Sequence, residues 1–63
     1  MKYIRCHLTS DNQYVKTSET YNAKTPESAA KKAYRNNKHL EYIFLYSIFE
    51  KKIYNFIMKD FHF

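Results

Sequence analysis

Not one of the 63 residues is glycine, so every turn and helix stop has to be made by residues that carry a Cβ. Left-handed backbone then falls mainly to Asn and Asp, whose short polar side chains tolerate it. The same absence excludes a glycine-rich loop that cradles phosphates. Three places fit the requirement. Ser10-Asp11-Asn12 reads as a turn, Asn36-Asn37 as a left-handed helix stop and Glu50-Lys51 as a tight turn.

The segments between these points have clear periods. Residues 2–9 alternate, with Ile4, Cys6 and Leu8 on one side and Tyr3, Arg5, His7 and Thr9 on the other, which predicts a half-buried strand. Residues 13–22 are rich in Tyr, Val and Thr and predict a second strand paired to the first as a hairpin. Val15, Thr17 and Tyr21 share a parity that Tyr14 does not, and a bulge could switch faces within so long a strand. Thr25-Pro26 is a strong helix start, because the Thr hydroxyl caps a free amide and Pro needs none at the first helical position. The helix is expected to run to about Asn36, with Ala29, Ala30, Ala33 and Tyr34 on one side and Glu27, Lys31, Lys32 and Arg35 on the other. Residues 41–49 and 52–59 predict two more strands, both apolar on both faces, so that neither face can be left wholly to water. The expected fold is α+β: strand-strand-helix-strand-strand, a curved antiparallel sheet or pseudo-barrel covered by one helix, forming a single domain over residues 1–63. A core this small makes a second copy or a partner surface a standing expectation.

One cysteine allows no internal disulfide, no apolar run is long enough to cross a bilayer, and no leader-like opening is visible, so an intracellular protein without a membrane partner is expected. Enzyme chemistry finds little support. Cys6 and His7 are neighbours in a strand and point to opposite faces, so they do not form a thiolate-imidazole pair. His7, His39 and His62 lack the close spacing of a metal site, and the carboxylates are scattered. Neither a catalytic residue, a metal ligand nor a cofactor is expected, and a basic nuclease would need an acid and base pair that the chain does not assemble.

The charge is more telling. The formal net charge is +5, and residues 24–38 alone carry +4, so basicity gathers around the helix. The plain alternative is that Lys31, Lys32 and Arg35 only solvate the helix surface. Lys24 differs, since it stands just before the cap, where its ammonium could join free helix amides in holding a phosphate. Phe44 and Tyr46 with Tyr54 and Phe56 form an expected aromatic stripe that could stack on bases or press against a minor groove, with cross-strand core or dimer contacts as the plain alternative.

The segment Tyr21-Asn22-Ala23-Lys24-Thr25-Pro26, followed by Ala29-Ala30, Lys32-Ala33, Ile43-Phe44-Leu45 and Lys51-Lys52-Ile53-Tyr54-Asn55-Phe56, resembles the methanogen chromosomal protein family. Its members are small archaeal non-histone proteins that bind and sharply bend DNA, with relatives in large DNA viruses. The resemblance spans about residues 3–58 and implies a two-layer pseudo-barrel in which Lys24, Lys32, Lys51 and Lys52 match basic positions of the family pattern. The chain departs from that pattern at Glu27, Phe44, Tyr46 and Lys59, where the family has Arg, Arg, Arg and Trp, and it lacks the family's basic, Trp-bearing tail. Lys, Asn, Ile, Tyr and Phe supply 31 of 63 residues, a bias expected of an AT-rich coding sequence and one that favours a viral member. The function expected is architectural binding of double-stranded DNA with little base specificity, in the packaging or organisation of a viral genome. The DNA contacts expected are Lys24, Lys32, Lys51, Lys52, Arg5, Arg35, Phe44, Tyr46 and Tyr54. The alternative is a protein-interaction module or homodimer built on an exposed aromatic sheet face and the Phe61-His62-Phe63 end.

Overall fold

The computed structural model describes residues 1–60. The Phe61-His62-Phe63 end therefore lies outside the described residues. Four antiparallel strands and one helix follow the expected order: β1 (Lys2–Leu8), β2 (Tyr14–Asn22), α1 (Pro26–Asn36), β3 (Tyr42–Ser47) and β4 (Lys52–Ile57), with a 3₁₀ turn at Met58–Asp60. The strands lie side by side as β2-β1-β3-β4, so the helix connection passes over β1, and the sheet is curved but unclosed, with β2 and β4 as its edges. The chain is thus an α+β fold. No helix among the described residues is long and apolar enough to cross a membrane.

The helix starts as its sequence dictates: the Thr25 hydroxyl accepts from the Ser28 amide at 3.2 Å, and Pro26 occupies the first turn. Ala29, Ala30 and Ala33 are fully buried against the sheet. Side chains this small leave room for rings beneath them, and the core is completed by Tyr3, Tyr21, Ile43, Leu45 and Met58. The helix therefore covers the face of β1 that carries Tyr3 and Arg5, leaving Ile4, Cys6 and Leu8 on the open face. The alternation in β1 was a correct sign of a strand, but its more aliphatic side is not the one the helix chose.

A bulge does interrupt β2. Ile4 pairs with Thr20 and Cys6 with Lys16, so Thr17, Ser18 and Glu19 all stand opposite Arg5. Two extra residues preserve the side-chain parity, so the faces do not switch as one extra residue would make them. The Thr17 hydroxyl donates to the Arg5 carbonyl at 2.8 Å, satisfying an acceptor within the interrupted ladder.

The helix stop differs from expectation. Asn37 is not left-handed (φ −141°); its side-chain Nδ2 donates to the Ala33 carbonyl at 2.8 Å and so satisfies a terminal acceptor directly. Among the described residues the left-handed ones are Asn12 (φ 62°), in the hairpin turn, and Lys51 (φ 58°). The turn between β3 and β4 is also longer than a Glu50-Lys51 corner. It spans residues 48–51, with the Lys51 amide donating to the Ser47 carbonyl at 2.7 Å and the Glu50 amide to the Ser47 hydroxyl at 3.0 Å. A left-handed lysine costs about 1 kcal/mol that glycine avoids. Chemical denaturation of Lys51→Gly should show a gain of about 0.5–1 kcal/mol; a loss would show that the Lys51 side chain supports the turn.

Candidate nucleic-acid interface

Strand pairing decides which lysines meet. Lys2 pairs with Asn22, Tyr3 with Ser47, and Ser47 with Lys52. The start of β1, the end of β2 and the β3–β4 turn consequently share one end of the sheet, and the helix begins there too. This end gathers Lys2, Lys24, Lys51 and Lys52, all exposed, together with the N-terminal ammonium, which donates to the Ala23 carbonyl at 2.9 Å. Lys32 reaches back to the same end, its Nζ donating to the Asn22 carbonyl. Three strand spacings of about 4.8 Å separate the end of β2 from the start of β4 by roughly 15 Å.

Two carboxylates belong to this end, Glu27 in the first helical turn and Glu50 in the β3–β4 turn. Glu50 is engaged by the Tyr54 hydroxyl at 2.6 Å and by Lys52 at 3.9 Å. Lys52 also stands 4.7 Å from the centre of the Tyr54 ring. Hydrogen bonding to Tyr54, followed by the electrostatic pull of Tyr54 and Glu50, raises the Lys52 pKa. Among the described residues the ion pairs are Lys52–Glu50 and Arg5–Glu19, so Lys24 and Lys51 have no carboxylate within ion-pair reach. The tip of this turn departs from the strand expected over residues 41–49. Ile48 and Phe49, which fall inside that expected strand, are exposed to 42% and 75%. The signal was available in an apolar pair standing directly before Glu50-Lys51-Lys52.

The other expected contacts separate. Arg35 lies in the last helical turn, exposed on the outer layer with Lys31. Arg5 faces inward, its Nε 2.7 Å from Glu19 Oε2 and its side chain only 16% exposed, so it is not part of the free basic surface. The aromatic stripe is divided between two faces. Leu45 pairs with Tyr54 and Ile43 with Phe56, placing those rings on the helix side, whereas Phe44 pairs with Asn55 and Tyr46 with Ile53 on the open side. The first strand pair contributes the missing neighbours: Tyr14 meets Phe44 edge-on at 5.4 Å, and the Lys16 ammonium lies 4.3 Å from the centre of the Tyr46 ring. Tyr14 and Lys16 come from the edge strand β2 and reach over β1, which is how Cys6 is left 1% exposed on the nominally open face. Burial pushes the Cys6 thiol pKa up, against the opposing pull of Lys16, Tyr46 and Arg5, and a buried neutral thiol is a poor nucleophile. His7, on the other face, is exposed. Among the described residues no three His, Cys, Asp or Glu side chains are grouped to hold a metal ion.

At the opposite end of the sheet a groove of about 470 Å³ is lined by Tyr34, Tyr42, Leu40 and Met58, with Lys38, Lys59 and Glu41 among its charged residues. The middle of the sheet and the end of the helix share the main polar network. Glu19 accepts from Arg5 Nε, the Tyr21 hydroxyl and Asn37 Nδ2, each at 2.7 Å. Partial burial pushes the Glu19 carboxyl up, but the hydrogen bonds from Asn37, Tyr21 and Arg5 together with the Arg5 charge outweigh it, and its pKa lies below the usual glutamate value. A depressed carboxylate stabilises the fold above its unfolded pKa of roughly 4.3 and loses that contribution as pH falls through the lower folded value. Glu19→Gln should therefore cost about 1–2 kcal/mol at pH 7 in urea unfolding. The difference from wild type should narrow as pH falls through the lowered folded pKa of Glu19 and the carboxylate is protonated; a gap that does not narrow on acidification would show that the charge is not what the network uses.

Comparison with protein-family models, with curated proteins and with solved structures yields no match to the chain.

Proposed function

We propose that the chain is a non-enzymatic architectural protein that binds double-stranded DNA with little base specificity and bends or compacts it. The observation that carries this reading is the gathering of Lys2, Lys24, Lys51 and Lys52 at one end of the sheet, with Lys24 and Lys51 free of carboxylate partners among the described residues. Lysines whose backbone positions are spread over roughly 15 Å suit a row of phosphates better than a single small anion. They sit on strand ends and a short turn rather than on a long mobile loop, so their spacing is held by the ladder. Lys31, Lys32 and Arg35 continue the positive surface along the outer side of the helix. The resemblance to methanogen chromosomal proteins points the same way, since Lys24, Lys32, Lys51 and Lys52 are the positions it singles out. A place in a virion, a viral factory, a host nucleus or a nucleoid would follow from that role.

A second reading rests on the open face, where Leu8, Tyr14, Tyr42 and Ile57 are 36–51% exposed. At about 200 Å² for a large side chain in full, these four offer roughly 300–400 Å². A standard interface needs about 800 Å² from each partner. The face is thus small for a stable homodimer and of the size that monomers commonly expose.

Neutralising about five phosphates gives a log-log salt slope of roughly −4.5, so gel-shift affinity for a duplex should fall about 500-fold between 50 and 200 mM salt. Lys24→Ala combined with Lys51→Ala should flatten that slope by about 1.8. Absence of duplex binding at 50 mM salt, or an unchanged slope in the double variant, would overturn the proposal.

A further inference from the structure

The β3–β4 turn carries a side chain that the basic end alone does not explain. Phe49 is 75% exposed, the most exposed large apolar residue described, and Ile48 beside it is 42% exposed. Neither belongs to the core, which is formed by other residues on the helix side of the sheet. Leaving a phenylalanine in water forfeits about 2 kcal/mol of burial free energy, and a polar residue would make the same turn at no such cost. The turn is nevertheless firmly built: the Lys51 amide closes on the Ser47 carbonyl, the Glu50 amide on the Ser47 hydroxyl, and Ser47 itself is fully buried. The Ile48 amide also bonds to the Lys2 carbonyl at 3.3 Å, tying the tip to β1. An exposed ring on a rigid support, with lysines two and three residues on in the chain, is the arrangement that DNA-bending proteins need to part a base step. The cations hold the backbone, the apolar wedge enters between two base pairs from the minor groove, and the duplex kinks away from it.

We propose that Phe49 is such a wedge: the basic end seats on the duplex backbone and Phe49, supported by Ile48, inserts partly into a base step and bends the DNA. This rests on the DNA reading above and adds the means by which bending occurs. Charge complementarity selects the occupant. Lys51 and Lys52 follow the wedge in sequence, and the Ile48 amide ties the turn to the Lys2 carbonyl at the same sheet end. Glu50, the one carboxylate of the turn, is held by Tyr54 and Lys52 and is partly neutralised there. An apolar protein pocket would have no use for the lysines that adjoin the ring in the chain. The unstacking cost is least at flexible pyrimidine-purine steps, so a mild preference for TA and CA steps should accompany an otherwise sequence-tolerant contact.

The test uses the full chain, a 20-base-pair duplex labelled at both ends for energy transfer, and gel shift at 50 mM salt. Wild type should shorten the end-to-end distance. Phe49→Ala should bind with roughly fivefold to tenfold lower affinity and leave the duplex straight, while Phe49→Leu, which keeps an apolar wedge, should restore most of the bend. Phe49→Trp should show indole quenching on duplex at saturating concentration. An unchanged thermal melt of Phe49→Ala would place these effects on DNA and not on folding. Bending by Phe49→Ala equal to that of wild type would overturn the wedge while leaving the basic end as a DNA surface, as would unquenched Phe49→Trp on bound duplex. A micromolar dimer dissociated by Phe49→Ala would overturn it in favour of self-association. Failure of wild type to bind any duplex would instead remove the DNA reading and the wedge together.

Discussion

The carboxylate of Glu19 joins parts of this small protein that backbone bonding alone leaves separate. One oxygen takes Arg5 from β1, and the other takes Tyr21 from its own strand and Asn37 from the end of the helix. Asn37 in turn closes the last helical turn through the Ala33 carbonyl. Asn36 adds a bond to the Tyr21 hydroxyl at 3.3 Å. A single acidic side chain, placed by a two-residue bulge, thereby docks the helix end onto the sheet and satisfies an inward-facing guanidinium. Every buried side-chain nitrogen and oxygen among the described residues has a partner, as a partly buried polar network requires if it is to specify one arrangement.

What the sequence made legible follows from local chemistry. Thr25 and Pro26 set the helix start because capping needs only neighbours, and Ala29, Ala30 and Ala33 marked the buried stripe because helical spacing is short-range. The strands were visible for the same reason. Register was not, since it is set by contacts between residues distant in sequence. The pairing of Leu45 with Tyr54, and not Phe44 with Tyr54, divided an aromatic stripe that parity within each strand could not align across strands. Arg5 looked like a surface cation until the bulge brought Glu19 opposite it. Glu19 in turn looked like one more scattered acid. The helix stop turned on Asn37 as well, but through its amide group and not through left-handed backbone.

The site shows the same division. Lys24, Lys51 and Lys52 could be named from their neighbours in sequence, yet their convergence with Lys2 exists only because three antiparallel pairings bring four chain segments to one end. Phe49 was concealed by composition: in a chain with twelve aromatic residues, one more beside a strand reads as core. Its position beyond Ser47, where the chain turns, puts it in solvent instead. The result is a polarised molecule. One end pairs cations with an exposed ring, whereas the middle of the sheet carries the polar network that fixes the helix end, so substitution at the first should be tolerated by the fold far better than substitution in the second.

Amide chemical-shift mapping with ¹⁵N-labelled protein and a short duplex reports every backbone position at once and so separates the basic end from the open face. Shifts should concentrate at Lys2, Lys24 and residues 48–52, with smaller changes at Lys32, while Lys16, Phe44 and the Glu19 network stay still. Shifts centred on Tyr14, Tyr42 and Phe44, with residues 48–52 unmoved, would contradict this placement and move the nucleic-acid surface to the open face of the sheet.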